Sequence, residues 1–217
     1  MAPSKAIVAS DKGDICLIDD TDGTQRFSKV AEAGVAVTSM AVDAKGRLHL
    51  ASSQGGLRTL NIKDTITTLT PPPSPSPRVE SPTVIITSPA HKIEAVASLV
   101  DYIVTIDSLH AIRLSRLCAS EDESLIGDVV QRLPAHGAPV LGVACLGTPN
   151  TADASFYTWS TGGTILFWNP AGICMQTVQV PLEQFDGANV DSNELRIVGA
   201  SSDASLLVTG DKYGVLR

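Results

Sequence analysis

The chain has 217 residues, of which 43% are hydrophobic and 18% charged, a composition typical of a globular protein and not of a disordered one. Its formal net charge of −7 excludes non-specific attraction to nucleic acid or to an anionic membrane. The amino terminus lacks the apolar core of a signal peptide, and no apolar run approaches membrane-spanning length. We therefore expect an intracellular protein of the cytoplasm or nucleus.

Metal, cofactor and disulfide chemistry is not expected. The four cysteines, Cys16, Cys118, Cys145 and Cys174, stand far apart with no C-x-x-C pair, which is typical of free thiols in a reducing compartment. No histidine has a partner at metal-ligand spacing. A histidine at position 136 and the Cys145 thiol lack an acidic residue placed by the sequence to orient them for catalysis.

Two β-prone runs separated by a tight turn recur five times. The clearest copy is S-F-Y-T-W-S-T-G-G-T-I-L-F-W-N, in which Gly162-Gly163 separates the two runs. Apolar runs split by a glycine pair predict a β-hairpin. The predicted hairpins cover residues 6–19, 48–61, 101–115, 155–169 and 205–217, with turn markers Gly13, Gly56, His110, Gly163 and Gly214.

The spacing of these hairpins predicts an all-β propeller. The turn markers lie 43, 54, 53 and 51 residues apart, and one propeller blade needs about 40–45 residues. Candidate inner strands lie at 35–42, 140–146 and 194–200, and candidate outer strands at 65–70, 128–133 and 174–180. The aspartates near the turns, Asp11, Asp107 and Asp211, are expected to cap those turns with their side chains.

Residues 70–82, T-P-P-P-S-P-S-P-R-V-E-S-P, form the main interruption. Proline lacks the N–H that a sheet needs, so we expect an exposed loop between blades. Residues 70–89 carry five Ser-Pro or Thr-Pro pairs, which are candidate sites for proline-directed phosphorylation: Thr70, Ser74, Ser76, Ser81 and Ser88. Each phosphate would add roughly −1.5 to −2 charges.

Several motifs resemble WD repeats. T-I-L-F-W-N, ending at Asn169, is similar to the T-I-R-L-W-D that closes the third strand of a WD-repeat blade, and H-G-A-P-V-L-G-V-A resembles the start of a repeat. In that family a histidine bonds a Ser or Thr of the second strand, which links to the Trp of the third. The resemblance implies a chain from His136 through Thr158 or Ser160 to Trp168, with Gly162 where the family has an aspartate.

The order of segments resembles the mitogen-activated protein kinase-binding WD-repeat scaffolds, which include spindle-pole proteins. Residues 135–146, 157–169 and 193–217 carry this resemblance, above all T-G-D-K-Y-G-V-L-R, which is similar to S-G-D-R-x-G-T-L-R. WD-repeat rings usually have seven blades, so the four to five blade positions here, the terminal ones incomplete, are expected to be a segment of a longer propeller.

The resemblance implies a non-catalytic scaffold that binds other proteins, from a mitogen-activated protein kinase pathway or from the spindle and centrosome. Its expected location is the cytoplasm, with the spindle pole or nucleus as further places. Two alternatives stay open: a propeller of a coat or nuclear-pore complex, and a propeller-type hydrolase. The hydrolase is disfavoured because its site would need Asp, Glu, Asn or His on the inner strands. The inner-strand stretches 35–42 and 140–146 contain none of these residues.

Overall fold

The described residues of the computed structural model are 5–20, 24–43, 45–62, 83–86, 92–117, 126–134, 136–146, 155–183, 193–201 and 205–217. Within these ranges the chain forms seventeen strands in five antiparallel sheets. None of these residues is helical, so no described helix could cross a membrane. The predicted all-β class is confirmed.

The strands of each sheet lie side by side in chain order. Sheet A contains β1 (Lys5–Ala9), β2 (Asp14–Asp19) and β3 (Arg26–Glu32). Sheet B contains β4 (Val37–Val42), β5 (Arg47–Ser52), β6 (Leu57–Asn61) and β7 (Thr83–Ile86). Sheet C contains β8 (Ile93–Ser98), β9 (Tyr102–Asp107), β10 (Ile112–Leu117) and β11 (Ile126–Leu133). Sheet D contains β12 (Val140–Cys145), β13 (Phe156–Ser160), β14 (Thr164–Trp168) and β15 (Cys174–Gln179), and sheet E contains β16 (Leu195–Ala200) and β17 (Leu207–Asp211).

The five predicted hairpins share one turn. In each, the backbone carbonyl of the first turn residue accepts the N–H of the residue three positions later, at 2.7–3.1 Å. The five pairs are Ser10 with Gly13, Ser52 with Gly55, Asp107 with His110, Ser160 with Gly163, and Asp211 with Gly214. In the last hairpin the residues after the turn pair with β17 through a single antiparallel bridge, between Gly210 and Leu216.

The closing residue of each turn has a positive φ, which explains the glycines. His110 occupies this position with φ 60°, the one non-glycine residue with positive φ among those described. Its ring Nδ1 lies 3.0 Å from the carbonyl oxygen of Val140, which links the turn of sheet C to the first strand of sheet D. This contact offsets part of the strain of a left-handed histidine.

The turns are also capped by side chains. An oxygen of the first turn residue accepts the N–H groups two and four residues further on in the hairpins that begin at Asp107, Asp211 and Ser10. The predicted cap at Asp11 is wrong, because the hydroxyl of Ser10 occupies the cap position one residue earlier.

Apolar packing joins each sheet to the next. Four buried clusters lie between sheets A and B, B and C, C and D, and D and E. Representative members, one from each sheet, are Ile15 and Leu50, Leu57 and Ile103, Ile112 and Trp168, and Ile165 and Val198. The sheets therefore stack face to face in chain order, as the blades of a propeller do.

The Pro-rich segment has a different place from the one predicted. It joins β6 to β7, which pair within sheet B, so it lies inside a blade and not between two blades. The predicted outer strand at 65–70 falls outside the described residues, and β7 takes the outer position of sheet B instead. The run Thr83–Ile86 follows the prolines and has the N–H donors that they lack.

The ends of the sheets differ in their connections. We call the end that holds the five hairpin turns the turn end, and the opposite end the loop end. At the loop end lie the connections between the first and second and between the third and fourth strands of the four-stranded sheets. The segments 63–82 and 118–125 both leave their sheets there, since they connect β6 to β7 and β10 to β11.

We expect Gly163→Ala to lower the free energy of unfolding by about 2 kcal/mol, since a left-handed residue with a Cβ costs about 1–2 kcal/mol. The added Cβ would also lie 2.7 Å from the carbonyl oxygen of Val180, at a φ of +82°. Gly137→Ala is the control, because its Cβ would meet nothing within 4 Å and its φ is not positive. Urea unfolding measures both changes, and equal losses for the two variants would contradict the assigned turn.

Candidate functional site

The structure brings His136, Thr158 and Trp168 into one hydrogen-bonded chain in sheet D. The Thr158 hydroxyl oxygen lies 2.8 Å from His136 Nε2 and accepts the Trp168 indole N–H at 2.9 Å. Thr158 is fully buried, and Trp168 is 1% exposed. Ser160 stands outside the chain, because its hydroxyl points to the carbonyl of Thr164 at 3.4 Å. Of the two candidates from the sequence, Thr158 is therefore the linking residue.

The second ring nitrogen of His136 has no hydrogen-bond partner of this kind. Its Nδ1 atom is buried, with no hydrogen-bond partner among the described residues. In the WD-repeat pattern an aspartate stands at the position of Gly162. The hydrogen-bonded chain of sheet D therefore has one member fewer than that pattern. Burial lowers the pKa of His136 to about 4. The ring is therefore neutral at physiological pH and offers no positive charge to an anionic ligand.

Two acidic residues at hairpin turns are held by arginines from the following strand. Asp107 Oδ2 lies 2.5 Å from Arg113 Nη1, and Asp211 Oδ2 accepts hydrogen bonds from Arg217 at 2.8 Å and Asn193 at 2.9 Å. The bonds from Arg217 and Asn193 hold the pKa of Asp211 far below its usual value. Both carboxylates therefore help to fix the hairpins.

A second buried polar chain in sheet B escaped the sequence analysis. His49 lies 2.8 Å from Thr59 through Nδ1 and 3.2 Å from Asp43 through Nε2, and Arg47 Nε donates to Asp43 at 2.6 Å. Burial opposes the charge of Asp43, but the bonds from Arg47 and His49 outweigh it and lower its pKa. Burial also lowers the pKa of His49. These residues lie on two paired strands and in the loop before them, so no local sequence motif predicts the hydrogen-bonded chain.

The Cys145 thiol is not activated. Cys145 donates its S–H to the carbonyl of Ser98 at 3.0 Å, and burial raises its pKa to about 11. The thiol keeps its proton at neutral pH, so it is a poor nucleophile. Within the described ranges, no group of three or more His, Cys, Asp or Glu is placed to hold a metal ion.

Exposed apolar side chains mark the loop end of two neighbouring sheets. Val100, between β8 and β9, is 55% exposed, and Ile173, just before β15, is 59% exposed. Leu109, on the turn between β9 and β10 at the turn end, is also exposed. The loop end is thus a surface with exposed apolar side chains on two sheets that pack against each other. The five candidate phosphorylation sites lie outside the described residues.

Comparison with known proteins establishes the fold. No protein-family profile matches the chain, and no curated protein matches its sequence. The WD40 beta propeller domain of Doa1 superposes with a TM-score of 0.59 at 17% identity, over 99% of this chain and 60% of that one. The computationally designed Ika8 protein superposes with a TM-score of 0.58 at 12% identity, over 98% and 54%. The chain has a WD40 β-propeller fold and spans little more than half the length of these two chains.

We expect Thr158→Val to destabilise the protein by about 2–3 kcal/mol, because it leaves two buried nitrogens, on His136 and Trp168, without their shared partner. Thr158→Ser keeps the hydroxyl and should cost less than about 1 kcal/mol. Ser160→Ala, in the same strand, is the control and should also cost about 1 kcal/mol or less, since its hydrogen bond is long. Urea unfolding of the three variants gives the ranking, and a loss for Thr158→Val no larger than for Ser160→Ala would contradict the assignment.

The buried histidine also predicts a pH dependence. The pKa of His136 is about 4 in the folded protein and 6.5 for an ordinary histidine. Between these values the unfolded chain binds a proton that the folded chain does not, so the free energy of unfolding falls as the pH drops from 6.5 to 4. The loss from His136 should be on the order of 2 kcal/mol, and His49 adds to it in the same direction.

The matched variant is His136→Asn, which removes the titrating ring. Its unfolding free energy, measured in urea at several pH values between 7 and 4, should fall less steeply than that of the wild type. A slope equal to that of the wild type would show that His136 is not held neutral in the folded state.

Proposed function

We propose that this chain is a non-catalytic scaffold that binds other proteins through its loop end. The partners we propose belong to a mitogen-activated protein kinase pathway or to the mitotic spindle, and the place of action is the cytoplasm, the spindle pole or the nucleus. The resemblance of residues 193–217 to the kinase-binding WD-repeat scaffolds supports the class of partner. The WD40 propeller fold supports the role in binding, because such sheets present many loops on one rigid frame.

The observation that carries the surface assignment is the exposure of Val100 and Ile173. Both stand at the loop end, on sheets that pack against each other through the cluster that contains Ile112 and Trp168. Single exposed apolar residues are common, but two at the same end of adjoining sheets suit a binding patch. The polar chains described above are buried and serve the fold, so they offer no competing site.

The Pro-rich segment gives this surface a means of control. It connects β6 to β7 and so departs from the loop end of sheet B. Phosphorylation there would add roughly −1.5 to −2 charges for each site. The proposed effect is to repel an acidic partner or to recruit one that carries arginines.

The test of the surface is direct binding of a purified, catalytically inactive mitogen-activated protein kinase to the chain. We expect Val100→Glu and Ile173→Glu each to weaken binding by at least tenfold, because a buried unpaired carboxylate opposes docking. Leu109→Glu is the matched control, since it adds the same charge at the turn end and should bind as the wild type does. Equal affinities for all three variants would refute the loop end as the binding surface.

The test of control uses the active kinase. It should transfer phosphate to the wild-type chain, and the transfer should be lost when Thr70, Ser74, Ser76, Ser81 and Ser88 are all replaced by alanine. Ser53→Ala, at a serine that no proline follows, should leave the transfer unchanged. Phosphate incorporation that persists in the five-site variant would contradict the assignment of these five sites.

A further inference from the structure

We draw no further inference here: the strongest candidate, the outer face of sheet E with the exposed side chains of Ile197, Val208 and Leu216, carries none, because nothing in the structure shows what covers it.

Discussion

The structure depends on one constraint: each of these sheets is apolar on both faces. A sheet with one apolar face is satisfied by a single layer of neighbours, but a sheet with two must stand between two others. Sheets B, C and D meet this requirement, because each shares one cluster with the sheet before it and one with the sheet after it. The four clusters are those that contain Leu50, Ile103, Phe156 and Ile165. Sheets A and E each meet it on one side. The stacking order, the exposed faces and the stability of each strand follow from this arrangement.

Hydrogen bonds fix the register within each sheet while apolar contacts hold the sheets together. The shared hairpin turn sets which residues of the second and third strands face each neighbouring sheet, because side chains alternate along a strand. In sheets C and E an aspartate both caps the turn and pairs with an arginine of the next strand. Sheet D has Ser160 in that position, and its strands are tied instead by the chain from His136 to Trp168. Different polar groups thus secure the same turn.

The sequence predicted the hairpins well because their signals are local. A glycine or His110 at the turn, flanked by β-branched or aromatic runs, marked all five, and the resemblance to WD repeats led to His136, Thr158 and Trp168. The chain of Asp43, His49 and Thr59 was missed because its members meet only after two strands pair. The outer strand of sheet B was misplaced because β6 and β7 pair across a long proline-rich insertion. Which faces stay exposed depends on contacts between sheets, which no local pattern records.

The interaction role and the fold rest on different grounds. The fold follows from the sheets, their order and the superposition on the WD40 propeller of Doa1. The proposed role rests on the exposed apolar side chains of Val100 and Ile173 at the loop end. A separate apolar surface, on sheet E, lies away from that end. Exposed apolar side chains therefore lie at two separate places, the loop end and the outer face of sheet E.

The central claim, that each sheet is stabilised by the neighbours on its two faces, is tested most directly by native-state hydrogen exchange at a concentration where the chain is monomeric. The account predicts the slowest exchange for the amides of β9 and β13, in sheets with a neighbour on both sides, and faster exchange by at least about tenfold for β2 and β17 in the end sheets. Uniform protection across the five sheets would contradict it, since the end sheets would then be as stable with one neighbour as the inner sheets are with two.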